Sequence, residues 1–430
     1  MKDILTYPER TRWTEICSRP GTNREAVSKS VSDTMARIRE GGDAALRELT
    51  LQYDGATTES LIVTLPEFDA ANNQVDNGLK AAIDIAVSNI EKFHSVQRPQ
   101  NVETETCEGV RCYQKSLPIK RIGLYIPGGT APLFSTVLML VIPAKIAGCS
   151  DITLFTPPFK DGSVSPVILY VAQLLGITEV VRAGGAQAIA AMAFGTESIR
   201  KVDKIFGPGN SYVAEAKLQV SNFVSIDMIA GPSELMIIAD NTANPSFIAA
   251  DLLSQAEHGP DSQLFLLTSE RELADRVMLQ LAIQLDNLPR KEIAAMALLN
   301  SKIVMLRNEE EMIDFANLYG AEHLMISTED PWSIADKIES AGSIFLGSFS
   351  PESAGDYASG TNHSLPTNGW TKSVSGISVE SFLHKISYQE ISTNGLQAIG
   401  PAVETMAEAE GLFAHKNAVT IRLKEIQNGL

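Results

Sequence analysis

Apolar residues recur at helical spacing over 27–51 and 78–93, with turn signals at Gly41-Gly42 and Asp54-Gly55, so the first hundred or so residues are expected to be mostly helical. A polar, β-prone stretch follows over 102–119. From 121 the pattern changes. Strand 121–126 enters the loop Pro127-Gly128-Gly129, and an apolar helix then runs to about 148. Strand 151–155, helix 164–175 and strand 179–182 lead into Ala183-Gly184-Gly185-Ala186-Gln187 and a helix reaching 194. Strand 204–206, the loop Gly207-Pro208-Gly209-Asn210 and helix 211–220 repeat the unit. Strand, glycine turn and helix in succession predict βαβ units and a parallel sheet. A second series is predicted as strand 234–239, helix 245–257, strand 263–268, helix 271–285, strand 302–306, helix 309–319, strand 323–327, helix 331–341 and strand 343–346. Residues 348–376 then read as an irregular Gly/Ser/Thr/Asn-rich stretch, followed by an amphipathic helix over 396–410 and a polar tail. The coarse expectation is two α/β sheet domains with terminal helical pieces.

A chain of 430 residues has length for two or three domains with real cores, and 44% apolar with 20% charged residues is ordinary for a globular protein. The net charge of −17, without a Lys/Arg-rich run, argues against binding a nucleic-acid backbone. Cys17, Cys107, Cys112 and Cys149 form no Cys-x-x-Cys pair and read as reduced, mostly structural thiols of a cytoplasmic protein. The first residues lack a secretory apolar stretch. The most apolar segment, 137–149, contains Pro143 and Lys145 and is too short for a bilayer, so no membrane role is expected.

Candidate chemistry gathers around histidine. Four of the six histidines fall in short motifs that also carry a carboxylate or carboxamide: Gln255-Ala256-Glu257-His258, Glu322-His323, the segment from Asp356 to His363, and Glu410-Gly411-Leu412-Phe413-Ala414-His415. These residue types bind zinc or move protons. The motifs span about 160 positions, so only a fold can join them. Gln255 and His258 share a face at a helix end stopped by Gly259-Pro260; they suit two ligands of one metal, or a capped surface helix. Asp356 and His363 suit a functional loop, or a hydrogen-bonded surface loop. Glu322 and His323 are neighbours, and strand neighbours face opposite ways, so a shared role requires an irregular strand edge; a solvated Glu beside a partly buried His is the other reading. Glu410 and His415 lie about 140° apart on an unbroken helix, so either Gly411 breaks it or this is a solvated helix end.

The glycine loops are the candidate cofactor site, because backbone N–H groups at helix N-termini accept phosphates. No strict dinucleotide fingerprint is present, since Tyr212 stands where a third glycine is needed. Tight βα turns are the alternative.

Together these segments resemble the histidinol dehydrogenase family. The resemblance rests on Tyr125-Ile126-Pro127-Gly128-Gly129, Gly207-Pro208-Gly209-Asn210, Ile226-Asp227-Met228-Ile229-Ala230-Gly231-Pro232-Ser233-Glu234, Ser254-Gln255-Ala256-Glu257-His258-Gly259, Ala321-Glu322-His323-Leu324, residues 355–363, and Ala414-His415-Lys416-Asn417-Ala418-Val419. It covers nearly the whole chain. It implies oxidation of L-histidinol to L-histidine through an enzyme-held aldehyde, with zinc and two NAD per turnover. By the same resemblance, zinc falls to Gln255, His258, Asp356 and His415. Ser233, His323 and Glu410 contact substrate together with those four ligands, and Tyr125, Gln187 and Asn210 contact NAD. The implied fold is α/β, with two incomplete Rossmann-like parallel-sheet domains in an intertwined homodimer. Residues 23–125 with 233–377 would carry zinc and the catalytic residues, and 126–232 the NAD loops. Residues 1–22 with 378–403 would form a helical dimerisation piece, and 404–430 a tail reaching the partner's site.

Loss of hydride from an alcohol carbon requires removal of the hydroxyl proton, and His323 suits that step; Glu322 suits activation of the water that hydrates the aldehyde. The competing readings are a dehydrogenase of the same superfamily acting on another amino or sulfonated alcohol, a zinc hydrolase with Glu322 activating water, and a non-catalytic metal-binding protein.

Overall fold

The computed structural model describes residues 1, 4–20, 24–128, 132–229 and 231–429. Gly129 and Ala230, part of the motifs above, and the expected boundary between residues 22 and 23 lie outside the described residues. The chain forms two compact units, one of Met1–Gln97 with Ile119–Ser381, the other of Arg98–Pro118 with Phe382–Leu430. In chain order the strands are β1 (Ile4–Thr6), β2 (Val102–Cys107), β3 (Val110–Pro118), β4 (Arg121–Tyr125), β5 (Asp151–Thr156), β6 (Glu179–Arg182) and β7 (Lys204–Phe206). They continue as β8 (Ser225–Ile226), β9 (Glu234–Ala239), β10 (Gln263–Thr268), β11 (Lys302–Met305), β12 (Ala321–Ser327), β13 (Ala341–Leu346) and β14 (Leu383–Ile391).

The first unit holds two parallel sheets, ordered β6-β5-β4-β7-β8 and β1-β11-β10-β9-β12-β13. Each contains the same half-Rossmann succession: the chain starts in the middle, steps outward twice, then returns to the other side of its first strand. The returns lie between β4 and β7 in one sheet and between β9 and β12 in the other. Strand β1 extends the edge beside β11.

Strands β9 and β10 are buried along their whole length, which is why they read as unbroken apolar runs and not as alternating ones. Period-two geometry sends Leu235, Ile237 and Ala239 into one core with helices Pro245–Ala256 and Arg271–Leu285. Met236 and Ile238 enter the opposite core with Trp13 and helix Glu309–Tyr319. Each such buried Leu or Ile contributes about 1.5–3 kcal/mol. The five-stranded sheet packs against helices Arg24–Asp54, Gly185–Phe194 and Ser211–Val220.

The second unit is an antiparallel sheet ordered β14-β3-β2 with helices Thr393–Ala409 and Phe413–Gln427. Gly411, at φ 73°, separates the two helices, as the Glu410/His415 spacing allows. Residues 383–391, expected in a helical piece, are a strand. Its partner β3 is remote in sequence, so no local pattern announces the pairing. The expected polar tail is the helix Phe413–Gln427, which buries no residue and so shows no apolar stripe. Among the described residues no helix is long and apolar enough to cross a membrane. No disulfide joins Cys17, Cys107, Cys112 or Cys149.

Candidate active site

Two regions of the first unit collect the chemistry. The first lies at the amino ends of β9 and β12. Helix Pro245–Ala256 follows β9 and returns toward that end, stopping just past Gln255 with Glu257 as its last helical cap. His258 comes off the following turn, its N–H donating to the Gln255 carbonyl (3.3 Å). Residues 348–376 are not wholly irregular: helix Glu352–Tyr357 carries Asp356 and packs on helix Pro245–Ala256.

His258 Nε2 stands 4.0 Å from Asp356 Oδ2. Ligand atoms of His323, Glu352 and Asp356 lie within 4.8 Å of one another. Ser254 Oγ donates to Glu352 Oε2 (3.3 Å), and the next residue, Gln255, is fully buried with neither amide atom partnered among the described residues. A buried carboxamide without partners is expensive unless something fills its valence. Gln255 Oε1 is thus a candidate cation ligand, and the side chains close enough to one another to share a cation are His323, Glu352 and Asp356, with His258 beside Asp356.

Glu322 and His323 sit within the regular strand β12, not at an irregular edge, yet both engage one residue of the neighbouring strand. Glu322 Oε2 accepts the Glu234 N–H (2.9 Å), and His323 Nδ1 is 3.2 Å from the Glu234 carbonyl oxygen. The two side chains are 3.6 Å apart. Nδ1 is thus the donor, which leaves the Nε2 lone pair free. Nε2 faces Glu352 Oε1 at 3.8 Å, and neither atom has a hydrogen-bond partner among the described residues. Glu234 is itself fixed: its carboxylate accepts from Arg19 Nε (2.5 Å) and Nη2 (3.1 Å) and from the Asn368 N–H (2.9 Å). Ser233 immediately precedes it, its carbonyl accepting from the Gln263 N–H (3.1 Å).

Burial dominates the electrostatics. It pushes His323 down to about 4, so the ring is a neutral proton acceptor at neutral pH. It also lowers His363, whose Nε2 is buried and unpartnered among the described residues. Glu352 is pushed up to about 9 by burial and then by Asp356, and Glu322 is raised well above the usual carboxylate range by burial. Asp251, one helical turn before Gln255, is raised to about 7 by burial. Burial thus raises three carboxyls in this region, Glu322, Glu352 and Asp251, and a cation bound beside them would favour their ionised forms.

The second region is a cavity of about 700 Å³, within the usual range for small-molecule sites, lined by Tyr125, Gln187 and Asn210 among others. It opens at the carboxyl ends of β4, β6 and β7, where the strand order reverses. The Tyr125 hydroxyl accepts the Gly185 N–H (3.1 Å), and burial pushes its pKa up to about 12. The Asn210 side chain caps helix Ser211–Val220 through the N–H groups of Tyr212 and Val213 (both 3.1 Å). Gly207, at φ 122°, passes so close to Tyr125 that a Cβ would lie 2.1 Å from its carbonyl oxygen. A buried ion pair of Lys217 and Asp227 clamps this turn. Lys217 Nζ donates to the Gly207 carbonyl (3.0 Å), and Asp227 accepts the N–H groups of Gly207 (2.8 Å) and Met228 (2.6 Å).

Glu410 and His415 belong to the second unit, where both are exposed beside Gly411. Sequence reasoning missed Glu352; its signal was the Glu-x-x-x-Asp spacing to Asp356, visible only once the segment is read as helix.

A sequence model of the family described as histidinol dehydrogenase matches residues 17–423. A histidinol dehydrogenase of Bacteroides fragilis is 54% identical over 99% of both chains, and one of Vibrio parahaemolyticus is 52% identical over 96% of this chain and 95% of its own. The crystal structure of histidinol dehydrogenase from Elizabethkingia anophelis superposes with TM-score 0.95 at 52% identity, covering 99% of each chain. With two half-Rossmann sheets, a candidate cation site and matches over nearly the whole chain, the protein belongs to the histidinol dehydrogenase family.

Proposed function

We propose that the protein oxidises L-histidinol to L-histidine through the aldehyde, reducing two NAD+, as the last two steps of histidine biosynthesis. The observation that carries this reading is the unpartnered Nε2 of a buried, neutral His323 close to Glu352 and Asp356, with His258 Nε2 4.0 Å from Asp356. Gln255, His258 and Asp356 hold zinc together with His415 from a second copy of the chain, whose Glu410 and His415 complete the site as a homodimer. Bound zinc supplies a fixed charge that orients the substrate's imidazole and amine, and NAD+ is the hydride acceptor. His323 Nε2 takes the hydroxyl proton as hydride leaves the carbinol carbon. Glu322 then draws a proton from the water that hydrates the aldehyde while the protonated His323 returns its proton to the carbonyl oxygen, and His323 takes the diol's hydroxyl proton as the second hydride leaves to a second NAD+. Ser233 contacts the substrate at the β9 end, and Tyr125, Gln187 and Asn210 contact the cofactor.

The test is absorbance of NADH with histidinol as sole alcohol: two NADH should form per histidine. A single NADH with released aldehyde, or greater turnover of another amino alcohol, would overturn the assignment.

A further inference from the structure

Asp54 takes no part in the proton transfers above, yet it lines the cofactor cavity beside Gln187. It is the last residue of helix Arg24–Asp54, which also brings Ser30, Thr34 and Tyr53 to the wall beside the turns of the five-stranded sheet. Gly55, at φ 68°, turns the chain away immediately afterwards. A carboxylate at a helix C-terminus faces the negative end of the helix dipole, which disfavours it. Its hydrogen bonding does little to offset this: Oδ2 accepts one long bond from Gln187 Nε2 (3.4 Å), and no Asp54 ion pair exists among the described residues. Burial correspondingly pushes the carboxyl up to about 6. The neighbouring turn at Gly184 makes room for the group. At Gly184 a Cβ would lie 3.3 Å from Asp54 Oδ1 and 2.7 Å from Pro157 Cβ, so a bare glycine lets the carboxylate stand there.

A half-buried, under-bonded carboxylate in a cavity of this size has two acceptor oxygens to offer. Their natural complement is a pair of adjacent hydroxyls. A phosphate in the same place would meet the like charge of Asp54. The helix Ser211–Val220 N-terminus is already satisfied by Asn210, so it offers no ready alternative seat for extra phosphate. Lys160, also on the cavity wall, is the one feature that would favour a phosphorylated cofactor.

We propose that Asp54 binds the adenosine ribose diol of NAD and sets the preference for NAD over its 2′-phosphorylated form. This rests on the assignment of the cavity to NAD. The Gln187 amide orients the carboxylate, and the diol completes its hydrogen bonding.

The experiment is steady-state kinetics of the intact enzyme with histidinol and either NAD or NADP, for the parent, Asp54→Asn and Asp54→Ser. Calorimetric binding of ADP-ribose and of 2′-phospho-ADP-ribose accompanies it. The parent should prefer NAD by more than ~100-fold in kcat/KM, and both variants should raise KM for NAD by ~10-fold or more, the size expected for losing charged hydrogen bonds. Their kcat at saturating NAD should stay within about threefold, and the NAD:NADP ratio should fall below ~10, since each removes the charge that repels phosphate. A structural role alone would lower thermal stability without moving the ratio. Unchanged KM and ratio in folded variants would overturn the proposal while leaving the cofactor site intact. A parent that binds no ADP-ribose would overturn the cofactor assignment, and Asp54's role with it.

Discussion

Lys217→Met tests how far the cofactor loop depends on one buried charge. Lys217 and Asp227 are each about 1–2% exposed at the side chain. The substitution keeps the apolar stem and volume but removes the ammonium and its bond to the Gly207 carbonyl. It leaves a buried carboxylate with two backbone N–H groups and only the field of Lys204 as counter-charge. Breaking a buried pair from one side costs ~3–5 kcal/mol. At ~4 kcal/mol the folded-to-unfolded ratio falls about a thousandfold. Adding Asp227→Asn should recover at least ~1 kcal/mol, because the stranded charge goes, although its amide cannot accept both N–H groups. Urea unfolding of the first unit's signal, with the slope checked for constancy, reads both effects. The KM for NAD should rise in the single variant, because Gly207 no longer holds the turn that presents Asn210. A single variant within 1 kcal/mol of the parent, or a double variant whose loss is the sum of the two single losses, would refute the clamp.

Three further outcomes are expected. Glu322→Gln should slow oxidation of histidinaldehyde by ~100-fold or more, and of histidinol to the aldehyde by under ~10-fold; equal losses in single-turnover NADH formation would remove the water-activating role. Metal analysis of purified protein should show zinc lost in His258→Ala and reduced in His415→Asn but kept in His323→Ala, with activity partly restored when the first two are mixed as heterodimers. Zinc retention in His258→Ala would move the site to the His323, Glu352 and Asp356 cluster. The third concerns pH. Glu352 has a folded pKa raised from 4.5 to about 9, so its stabilisation is present below 4.5 and is lost as pH rises toward 9. Chelated Glu352→Gln should therefore match the chelated parent near pH 5 and melt progressively higher than it up to pH 9. Parallel melting curves across that range would contradict a buried, protonated Glu352.

The inner strands of both parallel sheets were legible in sequence because each βαβ unit announces itself locally, whereas the short edge strands β1 and β8 were not. Strand β10 and helices Arg271–Leu285 and Glu309–Tyr319 fall on the residues their pattern predicts. Strand β14 was not, since nothing near 383–391 encodes a partner at 110–118. In the site, the residue types of Gln255, His258, Glu322, His323 and Asp356 carried the signal, but their convergence did not. Neighbours on a strand point apart by rule, and Glu322 and His323 meet only because Glu234 offers its N–H to one and its carbonyl to the other. Glu352 and Asp54 were hidden for different reasons. One sits in a segment whose composition looks like loop, and the other ends a helix whose pattern speaks only of packing.

The pairing of β3 with β14 also sets an order of events during synthesis. Strands β2 and β3 leave the ribosome roughly 270 residues before β14 can close the sheet, an interval on the order of tens of seconds. Through that interval β3 presents an open edge while residues 119–381 collapse around their own cores. β2 is short and polar, reading Val-Glu-Thr-Glu-Thr-Cys, and its charges guard the hairpin against edge-to-edge association. The second unit, with Glu410 and His415, is therefore the last part of each chain to form. A truncation before residue 383 should leave a nascent hairpin in need of a chaperone.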